Sequence, residues 1–188
     1  WAWKGIRPLP APRAYVLTDM SSDGTWAAVA DIVANAVLIF KKGPSGWVLH
    51  SQVQVPAKLP LDQFARSVCI SGSVLMVGGV VEQLVRPPDG DPITAASGRV
   101  WCYTLQSNAW KLAKTLSHAE GGTFVNGQAY GALLADQGNH LFVQSIHNDP
   151  TMTDPYGNPL REHFAIDVYD RGFHLLTRLV PGNQQGGC

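Results

Sequence analysis

Two polar stretches hold most of the side chains in this sequence that could do chemistry. "VVEQLVRPPDGDPITAAS" (Val80–Ser97) carries Arg86, Asp89 and Asp91, and "IHNDPTMTDPYGNPLRE" (Ile146–Glu162) carries His147, Asn148, Asp149, Asp154, Tyr156, Asn158 and Arg161. Carboxylates, amides, guanidinium groups and one aromatic ring offer hydrogen bonds and stacking, which suits recognition better than bond breaking. The pair contains six prolines and two glycines, and proline loses less chain entropy on ordering than other residues. His147, Asp149 and Asp154 are ligand types for a metal ion, and oxygen-rich loops hold calcium when several carboxylates and carbonyls converge. Asp149-Pro150 and Asp154-Pro155 are also ordinary turn-starting pairs, so no cofactor is expected, with calcium as the alternative. Ser145 and His147 are near neighbours, yet no G-x-S-x-G elbow surrounds any serine, and a triad is defined by geometry rather than by composition. Carboxylate pairs for glycoside cleavage are defined by separation in space, which leaves a polysaccharide-acting hydrolase or lyase as the alternative to binding. His50, His118, His140, His163 and His174 show no ligand spacing and read as strand-edge or surface residues. Cys69 and Cys102 sit inside apolar runs and read as small buried side chains, with a bridge between them as the alternative; Cys188 lies on a Gly-rich tail and could pair between chains.

Whatever these residues do, a scaffold must hold them. The chain has 188 residues, 14 basic and 14 acidic, and only 15% are charged. Bulk electrostatics therefore draws it neither to nucleic acid nor to anionic lipid. Its longest apolar stretch, Trp26 to Phe40, is interrupted by Asp31 and Asn35, which argues against a membrane span. Nineteen glycines and thirteen prolines without a collagen period indicate many turns rather than long helices.

An internal repeat supplies the organisation. "FARSVCISGSVLMVGG" (Phe64–Gly79) lies over "YGALLADQGNHLFVQS" (Tyr130–Ser145) without a gap, and "VLTDMSSDGTWAAVAD" (Val16–Asp31) fits the same frame. Gly24, Gly72 and Gly138 coincide, as do Val29, Val77 and Val143. Each segment reads as a strand, a tight turn at glycine and a second strand. "AVLIF", "RVWCY" and "AIDVY" follow as third strands. After a turn come Trp47, Trp110 and Phe173, 63 residues apart, each with a branched aliphatic six residues later, as fourth strands. The three rings are expected to pack between neighbouring units.

Four-stranded units in tandem predict β-propeller blades. "FARSVCISGSVLMVGG", "GRVWCYTL" and "AWKLAKTL" further resemble the FG-GAP repeat of integrin-like propellers, whose pattern runs aromatic-Gly-x-Ser-Val-x-Ile-x-Gly-x-x-Leu-x-Val-Gly, then Gly-x-Val-Tyr-Val-Phe, then Trp-x5-Leu. The second unit matches best. The third keeps Tyr130-Gly131 and the hairpin glycine, and the first lacks the leading aromatic-Gly pair. The resemblance implies a propeller of several blades and leaves the partner open. Calcium-binding members carry a DxDxDG loop, and none of the three hairpins here does; Asp23-Gly24 reads as a solvated turn.

The expected layout is all-β: residues 1–12 as the outer strand of a preceding blade, 13–58, 59–118 and 119–181 as three full blades, and 182–188 as a flexible tail. Trp3 with Leu9, matching Trp110 with Leu116, is the orphan strand. The chain also starts at Trp1 without a methionine. A ring left incomplete in this chain is then expected, belonging to a longer parent or closing with another copy. The two polar stretches join equivalent strands and should emerge side by side on one rim. They are read as loops, so that deleting Val81–Ser97 should abolish ligand binding and leave stability nearly unchanged. The expected function is a binding or structural module of the extracellular space, a cell surface or a virion, recognising protein or glycan.

Overall fold

Extended runs and tight turns, several of them at glycine, shape the described segments, and the result is all β. The computed structural model describes residues 17–31, 34–54, 63–85, 93–117, 130–147 and 163–180. Among them are twelve strands and no helix: β1 (Leu17–Ser22), β2 (Trp26–Asp31), β3 (Ala36–Gly43), β4 (Gly46–Gln54), β5 (Gln63–Ser71), β6 (Val74–Val85), β7 (Ile93–Gln106), β8 (Ala109–Ser117), β9 (Leu134–Gln137), β10 (His140–His147), β11 (His163–Tyr169) and β12 (Leu175–Leu179). They form three antiparallel sheets, β1-β2-β3-β4, β5-β6-β7-β8 and β9-β10-β11-β12, none closed into a barrel.

The registers repeat from sheet to sheet. Val29 stands opposite Leu38, Val77 opposite Trp101 and Val143 opposite Asp167, each partner being the third residue of its third-strand pentapeptide. A bulge falls in the same place in all three, at Ile39/Phe40, Cys102/Tyr103 and Val168/Tyr169. It adds local twist just before the aromatic residue. The three hairpin glycines have φ of +88°, +56° and +64°, a left-handed conformation that a Cβ would oppose.

The second sheet lies between the other two, and β5 packs against β1 and β2 on one side and against β9 on the other. Alternation divides its side chains. Val68, Ile70, Leu75, Val77, Trp101 and Tyr103 join Ala28, Ala30, Val37, Ile39 and Val53 of the first sheet in one core. Cys69, Met76, Val100, Cys102 and Leu116 join Leu141, Val143, Tyr169 and Phe173 of the third sheet in another. Burial on both faces is why the strands of the second unit read as nearly unbroken apolar runs.

Glycine sets how closely the second and third sheets approach. A Cβ on Gly78 would run into the Gly131 carbonyl oxygen and Ser67 Oγ, and one on Gly98 into the Tyr130 carbonyl oxygen. The leading aromatic-Gly pair of the third unit is therefore main chain laid on glycines of the second. Gly131 has φ +73°, and Ala65, its counterpart, has φ +63°.

Four expectations are corrected or decided here. Much of the stretch from Val80 to Ser97 is ladder rather than loop: β6 and β7 stay paired from Val80↔Gly98 to Val85↔Ile93, with Val81 fully buried. β-Branched residues at Val80, Val81, Val85, Ile93 and Thr94 favour this. Deleting Val81–Ser97 would remove core, so the expected stability-neutral result does not hold for that deletion. Trp47 differs from its two counterparts: Trp110 meets Trp26 edge to face at 5.5 Å and Phe173 is buried, whereas the Trp47 ring is exposed with Lys42 Nζ 6.0 Å away. Phe173 itself precedes β12, in a left-handed conformation of φ +62°. Cys69 and Cys102 are both buried and are not joined by a disulfide. Both stand opposite Met76, on strands flanking β6, and two strand spacings of roughly 4.8 Å exceed the reach of a disulfide. The expected orphan strand at residues 1–12 and the tail with Cys188 lie outside the described residues.

Candidate functional site

The rim is defined by what lies opposite it. The β1–β2, β5–β6 and β9–β10 turns are tied together across the sheets. Asp23 Oδ2 accepts from the Gly72 N–H. Arg171, in the turn before β12, donates to Ser71 O and Oγ at 3.2 Å, to Gly138 O at 2.8 Å and to Asp136 Oδ2 at 2.6 Å. With those turns gathered at one end, the β6–β7 and β10–β11 connections leave from the other.

Arg86, Asp89, Asp91, Asn148, Asp149, Asp154, Tyr156, Asn158 and Arg161 lie outside the described residues. His147 closes β10, its backbone paired with His163; its side chain is likewise outside them. What is described is the base on which these residues stand. The β10–β11 ladder ends at His147↔His163 and the β6–β7 ladder at Val85↔Ile93. In the shared register the second arm is longer by four pairs, roughly 13 Å at ~3.3 Å per residue. The two ladders thus end at different heights on neighbouring sheets.

Of the polar groups buried between the sheets, sequence pointed to Ser145 but not to its partners Asp167 and Arg178, and their chemistry is structural. Ser145 Oγ donates to Asp167 Oδ1 at 3.0 Å, and Arg178 Nε donates to the same oxygen at 2.6 Å. Ser145 gives its proton to a carboxylate already paired with guanidinium, and among the described residues no base stands ready to make it a nucleophile. The hydroxyls of Tyr130 and Tyr169 are 2.9 Å apart. Burial raises both phenols above their ordinary range, and for Tyr130 the neighbouring Tyr169 adds to it. Burial also pushes the Cys102 thiol up to about 12, against the pull of Lys114, so it is not a reactive thiolate at neutral pH. Among the described residues no three His, Cys, Asp or Glu side chains group as a metal site. No helix among them is long and apolar enough to cross a membrane.

Comparison with known proteins finds no family model and no curated protein that matches the chain.

One further feature is a groove of about 610 Å³ on the outer face of the third sheet, lined by Leu133, Phe142, Phe164, Ile166 and Leu179, with Gln144 the polar exception. A small-molecule site needs several placed polar groups to orient its ligand. This groove has an apolar wall and one amide.

Asp23 does more than turn the chain. Its Oδ1 accepts from the N–H groups of Thr25 at 2.8 Å and Trp26 at 2.7 Å. Partial burial raises its pKa, but the hydrogen bonds from Trp26, Gly72 and Thr25 outweigh that and leave it below the ordinary value. A carboxyl depressed on folding contributes stability above its unfolded pKa and loses it as pH falls through the folded one. Asp23→Ala is expected to cost about 1 kcal/mol at pH 7 after solvent screening. The difference from the unsubstituted protein should shrink toward zero near pH 2, as read by urea titration at both pH values.

Proposed function

We propose that the three sheets are successive blades of a β-propeller of the FG-GAP-like kind, and that the protein is a non-enzymatic binding or structural module of an exposed surface, cellular or viral, within a larger assembly. Protein or glycan is recognised at the rim. The observation that carries this reading is the β6–β7 arm. Its paired strands continue from Val80↔Gly98 to Val85↔Ile93, while the equivalent pairing in the first sheet stops at Asp31↔Ala36. An antiparallel arm carrying a polar tip of Arg86, Asp89 and Asp91 has the form of a recognition element on a rigid base.

The test is to replace 86–92 with Asn-Gly, which closes Val85 and Ile93 with a two-residue hairpin turn. Labelled protein is applied to arrays of glycans and of extracellular protein domains. The replacement should lower binding at least tenfold on features that hold the unmodified chain, with the melting temperature changed by no more than a few degrees. Unchanged binding would place recognition elsewhere.

A further inference from the structure

The repeat makes it possible to ask what each sheet face is for. In both internal interfaces the face carrying Ala28, Ala30, Val37 and Val53, or Met76, Gly78, Val100 and Leu116, receives the next sheet and is buried by it. The third sheet has the same face. Phe142, Gln144, Ile166 and Leu179 occupy the corresponding register positions, and Phe164 occupies that of Gly98. Here Phe164 is 65%, Ile166 43% and Leu179 50% exposed. The first sheet shows the converse. Ala27, Val29 and Phe40 are half-buried where Leu75, Val77, Tyr103 and Leu141, Val143, Tyr169 are fully covered. Trp47 is 41% exposed where Trp110 and Phe173 are 9% and 3%. Among the described residues, then, the chain shows one exposed receiving face and one partly exposed inserting face, on which Ala27, Val29, Phe40 and Trp47 are open while Asp31, Ala36 and Leu38 are covered.

Taking the sheets as blades, the geometry points to a second copy of this chain as the occupant: the first sheet of one copy docks on the third sheet of the other, twice over, closing a ring of six blades. Six lies within the four to eight blades that such rings contain. A pair of head-to-tail contacts that close removes both open faces.

A detail at the closest approach favours the first sheet over a sheet like the third. Tyr130-Gly131 seats its main chain on Gly78 and Gly98. Gln144 and Phe164 stand at those positions on the third sheet, and their side chains would bar such a pair. The first unit is the one whose leading pair, Val16-Leu17, is not aromatic-Gly. The sheet that cannot seat an aromatic-Gly pair is matched by the unit that does not bring one. Trp47, arriving as Trp110 does beside Val53 and as Phe173 does beside Leu116, would cover Leu179.

Sedimentation equilibrium on the 188-residue chain tests this. The expected mass is twice the 20.3 kDa of one chain. Phe164→Asp spoils only the receiving face and Trp47→Asp only the inserting face; each alone should halve the mass with unchanged circular dichroism. Mixed in equal amounts, they should recover a heterodimer through the one contact left intact, which a contact of each face with the same face of the other copy would not do. Leu112→Asp, an exposed apolar position on the second sheet, should stay dimeric. A monomer up to millimolar concentration, a dimer indifferent to both variants, variants that fail to complement each other, or species growing beyond two copies would each overturn the inference. The arm replacement reads out separately: a monomer that binds through the 86–92 tip would overturn the dimer alone, and a dimer whose arm variant binds unchanged would overturn the rim alone.

Discussion

Gly78→Ala is expected to cost about 3 kcal/mol, lowering the melting temperature of a chain of this size by roughly 10 °C. In an ordinary strand the same change is mildly favourable, because alanine loses less backbone entropy than glycine. At Gly78 the new Cβ would meet the Gly131 carbonyl oxygen and Ser67 Oγ, and Ser67 donates its hydroxyl to that same carbonyl. The sheets must part or the hydrogen bond must go. The first interface already holds a Cβ at the matching place, Ala30, so the close approach belongs to the second interface alone. Gly72→Ala is the control. Its Cβ would meet nothing within 4 Å, but its φ is +56°, and left-handed strain alone costs roughly 1–2 kcal/mol. Adding Ser67→Gly to Gly78→Ala removes one obstacle and leaves the carbonyl, so less than half the loss should return. A Gly78→Ala protein at least as stable as Gly72→Ala would mean that the sheets do not touch there.

The repeat was legible because period-two alternation and hairpin glycines are local. Gly24, Gly72 and Gly138 take the positive φ their turns require, and the gapless alignment of the hairpins matches the observed pairing of Met20↔Val29, Val68↔Val77 and Leu134↔Val143. The length of the β6–β7 arm was hidden because "EQLVRPPDGDPIT" mixes strand formers with proline and glycine. Turn residues cluster in its middle, and local propensity does not say how far pairing persists on either side. The Cys69–Cys102 question needed strand order: whether two residues share neighbouring strands is a property of the sheet, and β6 lies between them.

The site was legible only as an address. Sequence placed the two polar stretches between equivalent strands, and the gathered turns at the opposite end, held by Asp23 and Arg171, support a common rim. It missed Arg171 because its partners, Ser71 and Asp136, stand on two different sheets and no spacing links them. The outer face of the third sheet was missed for another reason. Phe164, Ile166 and Leu179 satisfy the same pattern as their buried counterparts, and a pattern cannot tell a covered face from an uncovered one.

Trp110 separates packing from pattern most sharply. Trp110→Ala should cost about 4 kcal/mol, since the ring meets Trp26 edge to face and lies among Val53, Trp101 and Tyr103. Trp110→Phe should cost about 1 kcal/mol or less. Among the described residues the indole Nε1 is buried without an acceptor, so losing that N–H relieves about 1–3 kcal/mol of desolvation and offsets much of the lost contact area. Phe173 already fills the equivalent place in the third sheet. The interaction with Trp26, isolated by a double-mutant cycle using Trp26→Leu, should be about 1 kcal/mol. If Trp110→Phe proves as damaging as Trp110→Ala, the indole N–H has a partner. Trp47→Ala completes the comparison. On dilute protein it should change stability by less than about 1 kcal/mol, because its ring is exposed to begin with. At concentrations where two copies meet, the same substitution should become costly, and that dependence on concentration distinguishes a ring waiting for a partner from one that merely faces water.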